Sequence, residues 1–412
     1  MQEPPTRRSF DRTIMIVIVI ALVIVLGVVI LMRALAPPLP PPVFHAAAIY
    51  DTTPRDALFT PFGLHVDPME RLLLINIEND PDELYVGFEP QVFDDDVHGR
   101  GMLVIGWRVD GLVDVYHQPT LTLDPATYDI TGEGLANMIE VPLDDARFEI
   151  TASGVDASVA FTDVLGRPIE LSVLERGHPP GNPFGLLAPM GAAAAEPSAL
   201  PLVFLHDFYF VRRANTDVRI AVAGQERRPD TLPLPIDGSR MYFMRYSPDP
   251  LIATLNSSFD GPLAPLTLED GEARADDGVV YDLLENHGRL ELQRLRRAHG
   301  EHEVRIDFVP PFPDLVGLAD GVRVNGAFVV HADPSVGTVA GDYSVERAGD
   351  GVTVRLVPSD GWAPNERLLS VRLMYTLVPL FRGWPTTYLW TAVIDIADPA
   401  APRMRSWWVR TG

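Results

Sequence analysis

The chain has 412 residues, of which 39 are proline and 32 glycine, and a formal net charge of −23 with 33 arginines and no lysine. A charge this negative repels nucleic acid, so DNA or RNA is not expected as a partner. Cysteine is absent, which excludes disulfides, thiolate metal sites and cysteine nucleophiles.

The first predicted element is an apolar segment, residues 14–32, in which nineteen consecutive residues carry no charged or polar side chain. As a helix it would span roughly 28 Å, enough to cross the lipid bilayer. Three arginines precede the segment and one follows it, so residues 1–13 are predicted to form a cytoplasmic tail. A signal peptide cleaved after Ala36 is the alternative, although the apolar run exceeds the usual length.

Residues 33–45 form a proline-rich linker that contains the run PPLPPP. Such a run forms a stiff polyproline II spacer, which would hold the following body about 20 Å from the bilayer. The lysine-free composition, rich in alanine, arginine, proline and glycine, is typical of a GC-rich bacterial genome. We therefore expect a single-pass protein of the bacterial inner membrane with a periplasmic or extracellular body.

From residue 49 onward, apolar and polar residues alternate with period two, as in VRIAV at 218–222 and VTVRL at 352–356. Strict alternation is typical of half-buried antiparallel strands. The dipeptide Asp-Gly, which favours tight hairpin turns, occurs eight times. These patterns predict an all-β fold.

The proline-rich stretch at 248–265 separates two strand-rich blocks. A body of this size exceeds what one hydrophobic core usually organises, so two domains are expected. We place them at residues 46–258 and 259–412, each built as an antiparallel sandwich or barrel.

A long loop is predicted at residues 177–201, with only one charged side chain after Gly177. Loops of this length are often functional or disordered. This one contains Phe184, Leu186, Leu187 and Met190. Two interpretations remain open: the loop folds back over an open sheet edge, or it presents an apolar patch to a partner or to the bilayer.

Five of the six tryptophans lie in the last 51 residues. Aromatic side chains are enriched at membrane interfaces, at protein interfaces and in sugar-binding platforms. Trp384, Trp407 and Trp408 are therefore candidate contact residues. Because Trp407 and Trp408 are adjacent, they point to opposite faces of a strand, and at most one can belong to a given core face.

The candidate catalytic residues are Asp96, His98, His117, His206 and Asp207. Carboxylates beside histidines could bind a divalent cation or transfer protons, provided that the fold brings them together. The chain lacks the nucleophile elbow G-x-S-x-G, the zinc motif H-E-x-x-H, the phosphate-binding loop and the dinucleotide fingerprint. The sequence therefore favours a role other than catalysis, with no metal and no cofactor.

Two further clusters are interpreted as structural. The segment HGEH at 299–302 is predicted to be a hairpin turn, because zinc requires three or four ligands held rigidly. The arginines between 289 and 305 are predicted to pair with neighbouring carboxylates.

Three functions remain open. The leading hypothesis is an accessory or scaffold subunit that packs on an integral membrane protein complex, such as a respiratory, photosynthetic, transport or secretion assembly. The second is a lipocalin-like binder, or an enzyme, with an apolar cavity for a hydrophobic small molecule. The third is a carbohydrate-binding envelope module that uses Trp384, Trp390 or Trp408.

Overall fold

The computed structural model describes residues 44–411, with gaps at 52–56, 68, 178–182, 190–193, 234, 237, 268–271, 276, 333, 366–368, 378–380 and 382. The predicted membrane segment at 14–32 and its cytoplasmic tail lie outside these residues. Within the described ranges, no helix combines the length and the apolar character needed to span a membrane. Residues from Phe44 to the C-terminus form one compact unit.

Most of the described residues lie in β-strands, which confirms the all-β prediction. The strands are β1 (Ala57–Phe59), β2 (Leu64–Asp67), β3 (Arg71–Asn76), β4 (Tyr85–Asp95), β5 (Gly99–Arg108), β6 (Val113–His117), β7 (Leu135–Glu140), β8 (Asp144–Thr151), β9 (Gly154–Thr162), β10 (Pro168–Glu175), β11 (Phe184–Ala188), β12 (Leu200–Arg212), β13 (Thr216–Val222), β14 (Gln225–Glu226), β15 (Met241–Ser247), β16 (Asp249–Leu255), β17 (Phe259–Pro262), β18 (Pro265–Thr267), β19 (Glu272–Arg274), β20 (Val280–Asn286), β21 (Arg289–His299), β22 (His302–Phe312), β23 (Arg323–His331), β24 (Thr338–Ala348), β25 (Gly351–Ala363), β26 (Tyr388–Asp395) and β27 (Arg403–Arg410). The helices α1 (Pro125–Tyr128) and α2 (Leu369–Leu377) accompany them, with a 3₁₀ turn at Ala47–Ile49.

Within the described residues the strands form three main sheets and a two-stranded pairing of β1 with β18. The central sheet has the order β2-β16-β12-β15-β3-β4-β5-β6-β7, and β11 also pairs with β12. The small sheet has the order β14-β13-β10-β9-β8, and the C-terminal sheet has the order β17-β27-β26-β25-β24-β23-β22-β21-β20-β19. Pairing is antiparallel except between β6 and β7. All strands of the C-terminal sheet lie after residue 258.

The central sheet is the middle layer of the fold. Along β3, Leu72 packs into one hydrophobic cluster and its neighbour Leu73 into a second cluster, because successive side chains point to opposite faces. The first cluster joins the central and C-terminal sheets, and the second joins the central and small sheets. Across the first, Phe62 stacks on Phe308 with ring centroids 4.8 Å apart.

The arginine-rich stretch of β21 forms the ion pairs predicted from the sequence. Arg296 contacts Glu272 at 2.6 Å and Asp282 at 3.4 Å, and Arg294 contacts Asp307. The segment 299–302 closes the β21–β22 hairpin, with its two end residues opposite each other, so the turn interpretation is confirmed.

Candidate binding cavity

A cavity of about 570 Å³ lies between the central sheet and α2. This volume is within the range of small-molecule sites, roughly 300–1,000 Å³. Most of its wall is apolar and comes from β3, β4, β11, β12, β15 and α2. The apolar side chains include Leu72, Leu74, Val86, Trp107, Leu186, Val203, Leu205, Phe208, Phe210, Leu232, Ile236, Phe243, Val371, Met374 and Phe381.

One wall of this cavity comes from the segment predicted as a long loop. Phe184, Leu186 and Leu187 lie in β11, which pairs with β12, and all three side chains are buried. Leu186 lines the cavity. The backbone of an exposed strand carries unsatisfied N–H and C=O groups, and pairing with an apolar segment satisfies them while burying its side chains. Met190 lies outside the described residues.

The helix α2 closes another side of the cavity. Val371 and Met374 line it, while the Tyr375 hydroxyl donates a hydrogen bond of 2.9 Å to the carbonyl of Gly185 in β11. Gly185 also permits a close approach of β11 to the segment before β24, because a Cβ atom there would lie 2.1 Å from the carbonyl oxygen of Ser335. The side chains of Leu373 and Leu377 point away from the cavity and are 50% and 73% exposed.

Glu89 is an acidic group in the wall of this apolar cavity, and it is only 4% exposed. Its carboxylate accepts hydrogen bonds from Gln91 Nε2 at 2.9 Å and from Trp107 Nε1 at 3.2 Å. Burial raises the pKa of Glu89 above its usual value, because the charged form loses its hydration.

Arg245, on β15, is the only basic residue lining the cavity among the described residues. Its Nη1 donates a hydrogen bond of 2.7 Å to Asn76 Oδ1, and its guanidinium lies 4.5 Å from the ring centroid of Phe243. Burial lowers the pKa of Arg245 to about 10, which leaves it protonated at neutral pH. Within the described chain, the cavity wall contains no histidine, serine or threonine. The described wall thus combines an apolar surface with two acidic residues, Glu78 and Glu89, and the guanidinium of Arg245.

The candidate catalytic residues Asp96 and His98 lie in the β4–β5 turn. Asp96 is exposed, whereas His98 is buried between two carboxylates. Its Nε2 lies 2.9 Å from Asp67 Oδ1, and its Nδ1 lies 3.1 Å from Asp95 Oδ1. His98 thus connects β2 to the end of β4. This structural role could not be predicted from the acidic triplet beside it in the sequence.

These carboxylates give the stability contribution of His98 a defined pH dependence. Burial alone lowers the pKa of His98, but the hydrogen bonds and charges of Asp67 and Asp95 outweigh it and raise the pKa. A raised folded-state pKa means that the contribution is complete below about pH 6.5 and is lost as the pH rises through the folded pKa. We expect His98→Gln to lower the free energy of unfolding more at about pH 5.5 than at about pH 8.5, as measured by urea denaturation.

Asp67 remains charged at the lower of these pH values. Although burial raises its pKa, hydrogen bonds to His65 and His98 lower it overall, so its own contribution is lost only as the pH falls through that lowered value. His117→Gln is the matched control, because His117 Nδ1 contacts the backbone carbonyl of Gln118. Equal losses at both pH values for His98→Gln would contradict the prediction.

His117, His206 and Asp207 occupy separate surroundings. His117 ends β6 and is half-buried. His206 is buried in β12, and its ring stacks on that of His302 with centroids 4.1 Å apart, while His302 Nε2 lies 2.5 Å from Asp249 Oδ2. Asp207 is exposed, with a positive φ of 47°. In the ranges that the structure describes, no three His, Asp or Glu side chains are placed to hold one metal ion.

Trp407 and Trp408 follow the alternation of β27. Trp408 and Trp384, which lies in the turn before β26, are buried, and Trp408 Nε1 donates a hydrogen bond of 2.8 Å to the carbonyl of Asn256. Trp407 is 37% exposed on the opposite face of β27. A sugar-binding platform requires an exposed ring face, and of these three side chains Trp407 has the exposure for it.

Sequence reasoning missed the charged residues of the cavity wall, Glu78, Glu89 and Arg245. Glu89 and Arg245 stand in mostly apolar stretches, within VGFEPQVF and MYFMRYS. A charged residue in the middle of such a run was the available signal, because an ionisable group is rarely buried without a specific partner or function.

Comparison of this chain with protein-family models, with curated proteins and with solved structures finds no match. The functional argument therefore depends on the geometry of the cavity.

Proposed function

We propose that the protein binds a hydrophobic small molecule in the cavity between the central sheet and α2. The observation that carries this proposal is the 570 Å³ cavity, with a wall of aliphatic and aromatic side chains and few polar groups. Specific ligand sites share this combination, in which apolar surface provides affinity and a small polar set fixes orientation.

The direct test is organic extraction of the full-length protein, purified in mild detergent, followed by mass spectrometry of the extract. We expect a hydrophobic compound in near-stoichiometric amount, or uptake of a fluorescent fatty-acid analogue by the emptied protein. Leu74→Trp should weaken this uptake by at least about tenfold, because the half-buried side chain of Leu74 lines the cavity and the larger ring fills it.

The matched control for this variant is Val109→Trp, at a side chain that is 53% exposed and outside the cavity. It should bind the analogue as the wild type does. Absence of both a bound compound and analogue uptake in the wild-type protein would contradict the proposed function.

The proposal includes the membrane setting. Residues 14–32 would anchor the protein in the bacterial inner membrane, with 1–13 in the cytoplasm. The linker at 33–45 would hold a periplasmic or extracellular body of two sandwich- or barrel-like domains close to the bilayer. The length of the apolar run and the excess of arginine before it support this orientation. Protease accessibility of the body in intact spheroplasts tests it.

An accessory subunit of an integral membrane protein complex is the second candidate function. The exposed side chains of Leu373 and Leu377 on α2 favour it, since neighbouring apolar side chains on a helix surface are typical of contact sites. Co-purification in mild detergent, with identification of the co-eluting proteins, distinguishes it from a binder that acts alone.

A further inference from the structure

We propose that the cavity ligand is a single-chain anionic amphiphile, whose carboxylate or phosphate head pairs with Arg245 while its chain contacts the apolar wall. This inference rests on the proposed function, because it names the class of ligand for the same cavity. It follows from the surroundings of Arg245.

The guanidinium of Arg245 is a partly buried charge without a carboxylate partner among the described residues. Among the described residues, no carboxylate oxygen lies within ion-pair distance of it, and its hydrogen bond goes to the neutral amide oxygen of Asn76. Burying a charge is costly unless it is paired. An anionic ligand would supply the missing counter-charge.

The two nearest acidic groups are engaged elsewhere. Glu89 accepts hydrogen bonds from Gln91 and Trp107, and Glu78 accepts one of 2.8 Å from Asn76 Nδ2. Burial raises the pKa of Glu89 above its usual value, and neither of these carboxylates lies within ion-pair distance of the guanidinium. Arg245 is therefore the wall group that can pair with an anionic head group.

The guanidinium is also geometrically suited to such a head group. It carries five N–H donors in a planar fork, and Asn76 takes one of them. A carboxylate or phosphate can accept two parallel hydrogen bonds from this fork. The ring of Phe243 beneath the guanidinium restricts its orientation.

The test is isothermal titration of the full-length protein, held in phosphatidylcholine nanodiscs, with four single-chain probes of equal chain length. The probes are dodecanoate, dodecyl phosphate, dodecanol and dodecylammonium, and titration of empty nanodiscs is subtracted. We expect the two anions to bind at least about tenfold more tightly than dodecanol, because their head groups can accept charge-assisted hydrogen bonds from Arg245. Comparison of the two anions distinguishes a fatty-acid head group from a phosphate head group.

Arg245→Met should weaken anion binding by at least about tenfold and leave dodecanol binding nearly unchanged, because the methionine preserves the apolar wall. Arg245→Lys should retain part of the anion preference. Arg403→Met is the matched control, since Arg403 is exposed on β27 and away from the cavity. Asn76→Asp provides a second variant that keeps Arg245, and its new carboxylate should compete with the anion and weaken its binding.

The outcomes separate this inference from the proposed function. Equal affinities for dodecanoate and dodecanol in the wild type would overturn the anionic head group while leaving a hydrophobic binder. Preferential binding of dodecylammonium would overturn it as well and would assign the head-group contact to Glu89. Failure of all four probes to bind would refute the cavity as a ligand site.

Discussion

Replacing Trp390 with alanine is expected to lower the free energy of unfolding by about 3–5 kcal/mol. The Trp390 side chain is fully buried, and its ring packs against Phe62 and Trp408 with centroids 5.7 Å and 6.5 Å away. Phe62 precedes β2, whereas Trp390 lies in the C-terminal sheet, so the substitution opens a cavity where these parts of the chain meet. Guanidinium denaturation of the variant and the wild type measures the loss.

Trp407 provides the control for this prediction within the same hairpin. It lies opposite Thr391, next to Trp390 in the chain, and its side chain is 37% exposed. Trp407→Ala should cost less than about 1 kcal/mol, because it removes a partly solvated ring and leaves the core closed. Similar losses of unfolding free energy for the two variants would contradict the difference in burial between Trp390 and Trp407.

Replacing Asp114 with alanine is the second substitution with a large expected effect, again about 3–5 kcal/mol. Asp114 is fully buried in β6 and accepts hydrogen bonds from the Tyr85 hydroxyl at 3.1 Å, Arg108 Nη1 at 3.2 Å and Asn137 Nδ2 at 2.6 Å. Its removal leaves three donors, one of them charged, without this acceptor. Chemical denaturation at constant pH measures the effect.

Asp110 is the matched control, because it pairs with the same arginine. Its Oδ2 lies 2.7 Å from Arg108 Nη2, but its side chain is 44% exposed to water. A surface ion pair of this kind contributes about 0–1 kcal/mol, so Asp110→Ala should be mild. Equal losses at positions 110 and 114 would show that burial does not determine the contribution of Asp114.

The hydrogen-bond network around Asp114 extends through the Tyr85 hydroxyl to Tyr116. The hydroxyls of Tyr85 and Tyr116 lie 2.5 Å apart, and Tyr116 in turn accepts a hydrogen bond from the backbone N–H of Val164. Burial raises the pKa of Tyr116 to about 12, so this hydroxyl stays protonated at neutral and mildly alkaline pH. The network thereby links the central sheet to the turn that follows β9.

Local sequence pattern predicted the strands well, because period-two alternation reflects burial on one face. Along β25, alternate side chains from Val352 to Leu356 are buried, as the sequence of that segment indicated. The alternation also placed Trp407 and Trp408 on opposite faces. β11 was missed as a strand because neighbouring side chains in Phe184–Leu187 are buried together, which leaves no alternation to detect.

The cavity could not be predicted from local pattern. Arg245 and Asn76 are 169 positions apart in sequence, and they meet because β15 pairs with β3. The pairing of distant strands and their register depend on the whole fold rather than on either segment alone. The structural role of His98 could not be predicted for the same reason. Its partner Asp95 is close in sequence, but its partner Asp67 belongs to another strand.

The contact between α2 and β11 affects how long a ligand would remain bound. The hydrogen bond from Tyr375 to Gly185 holds the helix across one side of the cavity, so exchange on that side requires the helix to move away. The lifetime of a complex then depends on how often the helix opens, and a ligand of modest equilibrium affinity can dissociate slowly. Slow exchange of this kind would keep a bound molecule out of water for the lifetime of the complex.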